Sequence, residues 1–155
     1  GILMATYKVL DREDPVLRKI SKEVPKITPN VLKLINNMLE TMYEYNGVGL
    51  AAPQVGVLKR IIVVDIGEGP IALINPEILE RDGSQVGQEG CLSCPDMWGD
   101  VDRAKHIKIK GITPKGEEVT FEADDYLARA LQHECDHLDG VLFIDKVQKL
   151  KVRRR

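Results

Sequence analysis

The chain has 155 residues, of which 43% are apolar and 30% charged, as expected for one globular domain. It contains no run of roughly 18 apolar residues that could span a membrane, and its formal net charge of -2 gives no general attraction to DNA or anionic membranes. The three cysteines show no disulfide spacing, and no secretory leader is evident, so we expect a reducing, cytoplasmic setting.

The first predicted element is a helix that begins after Thr28. Thr28 is a suitable N-cap, Pro29 is favoured at the first helical position, and Gly47 provides a stop. Between them, apolar residues recur at helical spacing: Val31, Leu34, Ile35, Met38, Leu39 and Met42. Residues 47–56 are small and apolar with three glycines, which predicts a buried loop or bend.

Strands are predicted for the middle of the chain, followed by a second helix. Four segments are rich in apolar or β-branched residues: 60–66, 71–75, 106–112 and 117–121. The last two are predicted to form a hairpin, whereas residues 80–88 are typical of turns. The second helix begins at Asp124 or Asp125 and runs to about Leu138. This order predicts a single α+β domain with antiparallel strands around a central C-terminal helix.

The second helix carries His133, Glu134 and His137 in the pattern H-E-x-x-H. Histidines four residues apart lie one above the other on a helix, so both imidazoles can bind one metal ion. Glu134 lies about 100° round the helix from His133, near enough to act as a general base on water. A solvated helix face is the alternative, but two of the chain's three histidines lie in this motif.

A catalytic metal site also needs a third protein ligand and an open position. No glutamate or histidine follows His137, and Phe143 stands where a longer zinc-protease motif has its last histidine, so this ligand must come from upstream. Cys91 and Cys94 are the candidates, because thiolates bind such metals well. In an extended segment, side chains three residues apart point to opposite faces, which favours Cys91 as ligand and Cys94 as a packed residue.

Two other interpretations of Cys91 and Cys94 stay open. With His133 and His137 they form C-x-x-C…H-x-x-x-H, the ligand set of a closed structural zinc site, in which Glu134 has no role. A redox C-x-x-C is less favoured, because that motif normally opens a helix after a strand.

Three segments together resemble the signatures of the peptide deformylases: residues 47–54 (GVGLAAPQ), 89–93 (EGCLS) and 132–137 (QHECDH). They follow the family's order and spacing, and the resemblance covers nearly the whole chain. It implies a metal-dependent hydrolase that removes the N-formyl group from the formyl-methionine of nascent polypeptides and releases formate. It also implies one divalent metal ion per chain, Fe2+ in the cell, with Zn2+, Ni2+ or Co2+ as substitutes.

The resemblance also implies a role for each site residue. The metal ligands are Cys91, His133 and His137. Glu134 is the general acid/base, while Gln54 and the backbone N–H of Leu92 hold the formyl oxygen. The substrate is expected to contact Val48, Gly49, Leu92, Tyr126, Ala130 and His133.

We also have expectations for four charged residues near the site. Arg129 should lie at the rim of this pocket, and Glu89 should form an ion pair with Arg103. Asp136 should lie beside a ligand histidine or in solvent.

Six of the last ten residues are basic. A solvated, frayed end is the first expectation, but some relatives dock on the ribosome through a C-terminal helix, so contact with ribosomal RNA is a second hypothesis. We expect Met4 to be the native first residue and residues 1–3 to be an added extension. Residues 4–150 then form the catalytic domain and residues 151–155 a basic tail.

Overall fold

A computed structural model of the protein describes residues 5–153. The expected start at Met4 and the last two arginines of the tail lie outside this range. Within it, the helices are α1 (Pro29–Glu44) and α2 (Asp125–Leu138). The strands are β1 (Gly49–Ala51), β2 (Ile61–Val64), β3 (Ile71–Asp82), β4 (Gln85–Cys91), β5 (Cys94–Arg103), β6 (His106–Ile112), β7 (Glu118–Asp124) and β8 (Lys151–Val152). Neither helix in this range is long and apolar enough to cross a membrane.

The strands form two sheets in which every neighbouring pair is antiparallel. One sheet has the order β1-β2-β3-β6-β7, and the other has the order β4-β5-β8. The predicted α+β domain, with antiparallel strands and a C-terminal helix, is therefore confirmed. The hairpin of β6 and β7 also lies where the sequence predicts it.

The five-stranded sheet is packed between the two helices, and β2 shows how. Alternate residues of a strand point to opposite faces. Ile61 and Val63 join the apolar cluster that contains α1, whereas Ile62 and Val64 join the cluster that contains α2. All four side chains are buried, and each contributes about 1.5–3 kcal/mol of transfer free energy. A strand buried on both faces therefore fixes α2 relative to the rest of the domain.

The two helices begin differently. The hydroxyl of Thr28 caps α1 as predicted, accepting a hydrogen bond from the N–H of Val31 at 3.3 Å. Asp124 precedes α2, but its side chain does not cap that helix. Its carboxylate instead lies 2.6 Å from the Nδ1 atom of His106 on the neighbouring strand, so cross-strand pairing has replaced capping.

The structure has strands in two segments for which the sequence predicted none. Residues 47–56 are largely buried, as expected, but they form β1 and a 3₁₀ turn at Ala52–Val55 rather than an irregular loop. Residues 80–88 belong mostly to β3 and β4, and only residues 83–84 turn between them. Both strands are polar and partly exposed there, so the apolar pattern that identifies a buried strand is missing.

The first residues of the basic tail form a strand. Lys151 and Val152 pair with Trp98 and Met97 of β5, so the expectation of a frayed end is wrong for these two residues. Gly99 explains the close approach, because a Cβ atom there would collide with Val147 and would lie 2.9 Å from the carbonyl oxygen of Lys149.

His106 joins two carboxylates of β7. Its Nδ1 atom lies 2.6 Å from Asp124 and its Nε2 atom 3.1 Å from Glu122. The hydrogen bonds to Asp124 and Glu122 raise the pKa of His106 above its ordinary value of 6.5. A raised pKa means that the protonated imidazole stabilises the folded state. This stabilisation is fully present at a pH below the ordinary pKa of 6.5, and it is lost as the pH rises through the raised pKa of His106 in the folded protein.

The variant His106→Gln should therefore lose stability in a pH-dependent manner. We expect the deficit in the free energy of unfolding to be largest below pH 6.5 and to shrink as the pH rises above the raised pKa of His106. The deficit will be small, because exposed ion pairs contribute little. Urea denaturation of both proteins across a pH series measures it, and a deficit that does not change with pH would contradict this account.

Candidate active site

A cavity of about 270 Å³ lies between α2, the segment that follows α1, and the end of β4. Nine of the ten residues predicted for the site line it: Val48, Gly49, Gln54, Cys91, Leu92, Tyr126, Ala130, His133 and Glu134. The tenth, His137, lies against this group, with its Nε2 atom 3.4 Å from the sulfur of Cys91. The fold thus brings together residues that are up to about ninety positions apart in the chain.

Cys91, His133 and His137 each offer one donor atom, and these atoms all lie within 4.8 Å of one another. Among residues 5–153, this is the one group of its kind. A sulfur and two imidazole nitrogens suit a borderline or soft divalent metal ion, and three protein ligands are typical of a catalytic site with an open position. Burial and the neighbouring His133 lower the pKa of His137, which favours the neutral ring that a metal requires. The residues present therefore fit a divalent metal ion.

Cys91 and Cys94 do not point apart as expected for an extended segment. Residues 92–93 form a two-residue turn between β4 and β5, so the two cysteines are directly paired across the strands. Cys94 is nevertheless 1% exposed within an apolar cluster with Leu17 and Phe143, which agrees with its predicted packed position.

Glu134 is buried beside the three donors. Burial raises the pKa of its carboxyl to about 7, although the charge of His133 opposes this. Its Oε1 atom has no hydrogen-bond partner within residues 5–153. The other carboxylate oxygen lies directly over Gly49, where a Cβ atom would collide with it. The absence of a side chain at Gly49 therefore allows the Glu134 carboxylate to lie in the cavity.

The variant Gly49→Ala should lose activity without unfolding. The added methyl would lie 2.8 Å from Cδ of Glu134 and 2.9 Å from its Cγ, so the carboxylate must move. A displacement of about 1 Å in a catalytic group can cost roughly 10²-fold in rate, and we expect a loss of that order in kcat. Kinetics and metal content measured on one sample test this. Gly67→Ala, in open space at a φ of 102°, is the control that costs stability but not activity.

The amide of Gln54 is held in one orientation. Its oxygen accepts a hydrogen bond from the N–H of Ala51 at 2.9 Å. Its Nε2 atom donates to the hydroxyl of Ser93 at 3.1 Å and lies 3.5 Å from the sulfur of Cys91. The amide donor thus faces the group that could hold a metal. Sequence reasoning missed the buried Ser93, although this residue closes the second of the three matched segments.

A buried charge network lies behind His133 and is centred on Glu89. The expected ion pair with Arg103 is present at 2.8 Å, and the Nδ1 atom of His133 lies 2.9 Å from the same carboxylate oxygen. Burial alone would raise the pKa of Glu89, but the hydrogen bonds from Arg103 and His133 hold it below its ordinary value. Because Nδ1 is engaged in this way, Nε2 is the nitrogen of His133 that remains for a metal.

Arg129 lines the cavity, but it is buried and does not lie at an exposed rim as predicted. It is 5% exposed, and its guanidinium contacts Glu89 at 2.5 Å and the carbonyl oxygen of Val101 at 3.0 Å. It also crosses Gly87, where a Cβ atom would lie 2.9 Å from the guanidinium. The guanidinium of Arg129 is buried because it pairs with the buried carboxylate of Glu89.

Asp136 also differs from its expected positions. It receives a hydrogen bond from Arg103 at 2.6 Å and an ion pair from Lys146 at 3.1 Å, so it extends the network instead of facing a ligand histidine or bulk solvent alone.

Comparison with known proteins shows the family of the chain. The model of the polypeptide deformylase family matches residues 6–153. The chain belongs to this family. A peptide deformylase of Carboxydothermus hydrogenoformans is 56% identical over 147 residues, which cover 95% of this chain and 97% of that protein.

Solved deformylase structures share the fold. The enzyme of Thermotoga maritima is 50% identical with a TM-score of 0.91, and the match covers 96% of this chain and 100% of that one. A class I type b deformylase of Acinetobacter baumannii bound to Met-Ala-Ser is 36% identical with a TM-score of 0.89, covering 94% and 100% of the two chains. Peptide deformylases are metal-dependent hydrolases that deformylate nascent polypeptides, so the function predicted from the sequence is confirmed.

Proposed function

We propose that this deformylase acts on N-terminal formyl-methionine through one divalent metal ion held by Cys91, His133 and His137, with Glu134 as general acid/base. The observation that carries the proposal is the cluster of three donor atoms within 4.8 Å, beside a buried carboxylate and open to a cavity. A closed structural site would not need an unpaired buried carboxylate at its edge. When bound, the metal ion supplies a Lewis acid that polarises the formyl carbonyl and increases the acidity of water.

Glu134 moves the proton in this mechanism. Its Oε1 atom, unpaired within residues 5–153, accepts a proton from the water that attacks the formyl carbon. The same carboxyl then donates that proton to the nitrogen of the departing peptide, and formate is released. A carboxyl with a pKa of about 7 can perform both transfers near neutral pH, because neither protonation state is strongly favoured.

Gln54 and the backbone N–H of Leu92 stabilise the negative charge that develops on the formyl oxygen. The Gln54 amide is fixed by its bonds to Ala51 and Ser93, so its N–H group does not have to reorient during the reaction. Leu92 opens the turn beside Cys91 and lines the cavity. Removing one such hydrogen-bond donor typically raises the activation free energy by about 3 kcal/mol.

The methionine side chain of the substrate lies along the wall formed by Val48, Gly49, Leu92, Tyr126 and Ala130, with His133 at its inner end. Val48 and Tyr126 support this placement, because they leave 38% and 50% of their surfaces exposed beside the cavity. An apolar side chain bound there would cover this surface and gain the free energy of its burial.

We further propose Fe2+ as the metal in the cell and the cytoplasm as its location. One thiolate and two imidazoles also accept Zn2+, Ni2+ or Co2+, so these ions should substitute in purified protein.

The test is formate release from formyl-Met-Ala-Ser by protein purified without oxygen, with metal content determined on the same sample. We expect turnover with about one metal ion per chain, loss of turnover on chelation, and recovery when Fe2+ is returned. Acetyl-Met-Ala-Ser is the control substrate and should be cleaved far more slowly. Full metal occupancy without formate release would contradict the proposal and indicate a structural site.

The basic C-terminal segment supports a second proposal, contact with ribosomal RNA. Lys149, Lys151 and Arg153 are exposed next to β5, where phosphate groups could approach them. We expect Lys149→Glu/Arg153→Glu to reduce cosedimentation with ribosomes and to leave turnover of a short formyl peptide unchanged. Lys26→Glu/Lys115→Glu is the matched control, because it makes the same change of charge at exposed positions elsewhere. Equal ribosome binding by the two double variants would contradict a specific role for the tail.

A further inference from the structure

The deformylation mechanism uses one thiol, but the structure places two together. Cys91 and Cys94 face each other across the turn at residues 92–93 and are paired in the register of β4 and β5. Opposed residues of antiparallel strands have Cα atoms about 4.5–5.5 Å apart, which is within the roughly 4.4–6.8 Å that a disulfide spans. Neither cysteine is in a disulfide, so both thiols are free.

The two cysteines differ in access to solvent. Cys91 is partly exposed and lines the cavity, so a small oxidant can reach its sulfur. Cys94 is 1% exposed and packs among Val101, Leu142 and Phe143, so its available reaction partner is the neighbouring sulfur. The third thiol, Cys135, packs in a different apolar cluster. An accessible cysteine beside a second, protected one is the arrangement found in reversible thiol oxidation.

We propose that Cys91 and Cys94 form a reversible redox modification site that responds to hydrogen peroxide. The Cys91 sulfur attacks one oxygen of the peroxide and gives up its proton, the O–O bond breaks, and the leaving hydroxide takes up that proton to become water. The product is a sulfenic acid at Cys91. Cys94 then gives up its proton and attacks the Cys91 sulfur, the S–O bond breaks, and a second water leaves. In total, two thiols are oxidised to one disulfide while one peroxide is reduced to two waters.

This bond has two consequences for the enzyme. It removes one of the three donors of the proposed metal site, so oxidised protein should release its metal ion. It also stops oxidation of Cys91 before the sulfinic and sulfonic acids, which a thiol reagent cannot reduce. Dithiothreitol restores both thiols by two exchange steps and leaves as its cyclic disulfide. Cys94 thus makes inactivation by peroxide reversible.

The experiment treats zinc-loaded protein with hydrogen peroxide, because zinc avoids iron-driven oxidation. Thiol state is determined by mass spectrometry of peptides, and zinc release with a chromogenic indicator. We expect the parent to form an intramolecular Cys91–Cys94 disulfide, to release zinc, and to bind zinc again after dithiothreitol. Cys94→Ala and Cys94→Val should instead collect sulfinic and sulfonic acid at Cys91, with a severalfold smaller fraction able to bind zinc again. Valine keeps the apolar volume in case alanine destabilises the fold.

Cys135→Ala is the matched control, because it removes a buried thiol and leaves the pair intact; it should behave like the parent. The proposal is overturned if parental Cys91 reaches the sulfinic acid without a disulfide, or if its disulfide joins Cys135 or a second chain. Recovery of the Cys94 variants equal to that of the parent would also overturn it. The expected release of zinc rests on the proposed role of Cys91 as a metal ligand. A Cys91–Cys94 disulfide that forms without zinc release would support the redox site and contradict that ligand role.

Discussion

Glu134→Gln should reduce the turnover of formyl-Met-Ala-Ser by about 10²–10⁴-fold while the protein keeps its metal ion. Glutamine has nearly the same shape as glutamate, so the buried position can be filled, but the amide cannot accept a proton from water. Glu134 also lies outside the group of three donor atoms, so metal binding should not depend on it. Steady-state kinetics and metal analysis on the same preparation measure both quantities.

The same variant separates the two classes of metal site considered for this chain. In a closed structural site Glu134 would have no chemical task, and its replacement would change stability alone. Glu77→Gln is a suitable control, because this carboxylate is exposed and contacts only Lys110, at 3.5 Å, among the ion pairs of residues 5–153. If Glu134→Gln keeps more than about a tenth of the parental kcat, another group must transfer the proton.

Glu89→Ala should destabilise the fold by about 3–5 kcal/mol. The substitution leaves the guanidinium groups of Arg103 and Arg129 buried without their shared carboxylate, and an unpaired buried charge is costly. It also removes the hydrogen bond that orients His133. The free energy of unfolding from urea denaturation measures the first effect, and metal affinity the second.

Glu77→Ala provides the matched comparison for stability. It breaks an exposed ion pair and should cost at most about 1 kcal/mol. A loss for Glu89→Ala as small as that for Glu77→Ala would show that water or a rearranged side chain replaces the carboxylate, and the network would then not hold His133 in place.

Sequence reasoning succeeded where one periodic signal dominated. The motif helix α2 and the capped helix α1 were predictable because apolar residues repeat at helical spacing between recognisable ends. It was less successful where position depends on long-range pairing. The extension of β3 to Asp82 and the start of β4 at Gln85 fall in polar sequence, and pairing with β6 and β5 decides them.

The same distinction holds within the site. The identity of the histidines and of Glu134 follows from a local motif, and the three matched segments supply the rest. The pairing of Cys91 with Cys94 could be predicted only if the turn at residues 92–93 was recognised. Neither of these two residues is a proline or glycine, so the sequence gives no turn signal there. The inward position of Arg129 depends on a carboxylate forty residues away in the chain, so helical spacing alone placed it wrongly.

The two sources of the proposed metal ligands have a thermodynamic consequence. His133 and His137 lie on a helix packed against the five-stranded sheet, whereas Cys91 ends a strand of the other sheet. A ligand that binds only when both parts are docked adds RT ln(1 + [L]/Kd) to the stability of that docked arrangement. Metal binding and the docking of the two sheets are therefore linked. A substitution that lowers the docked fraction of the protein raises the apparent Kd for the metal in proportion.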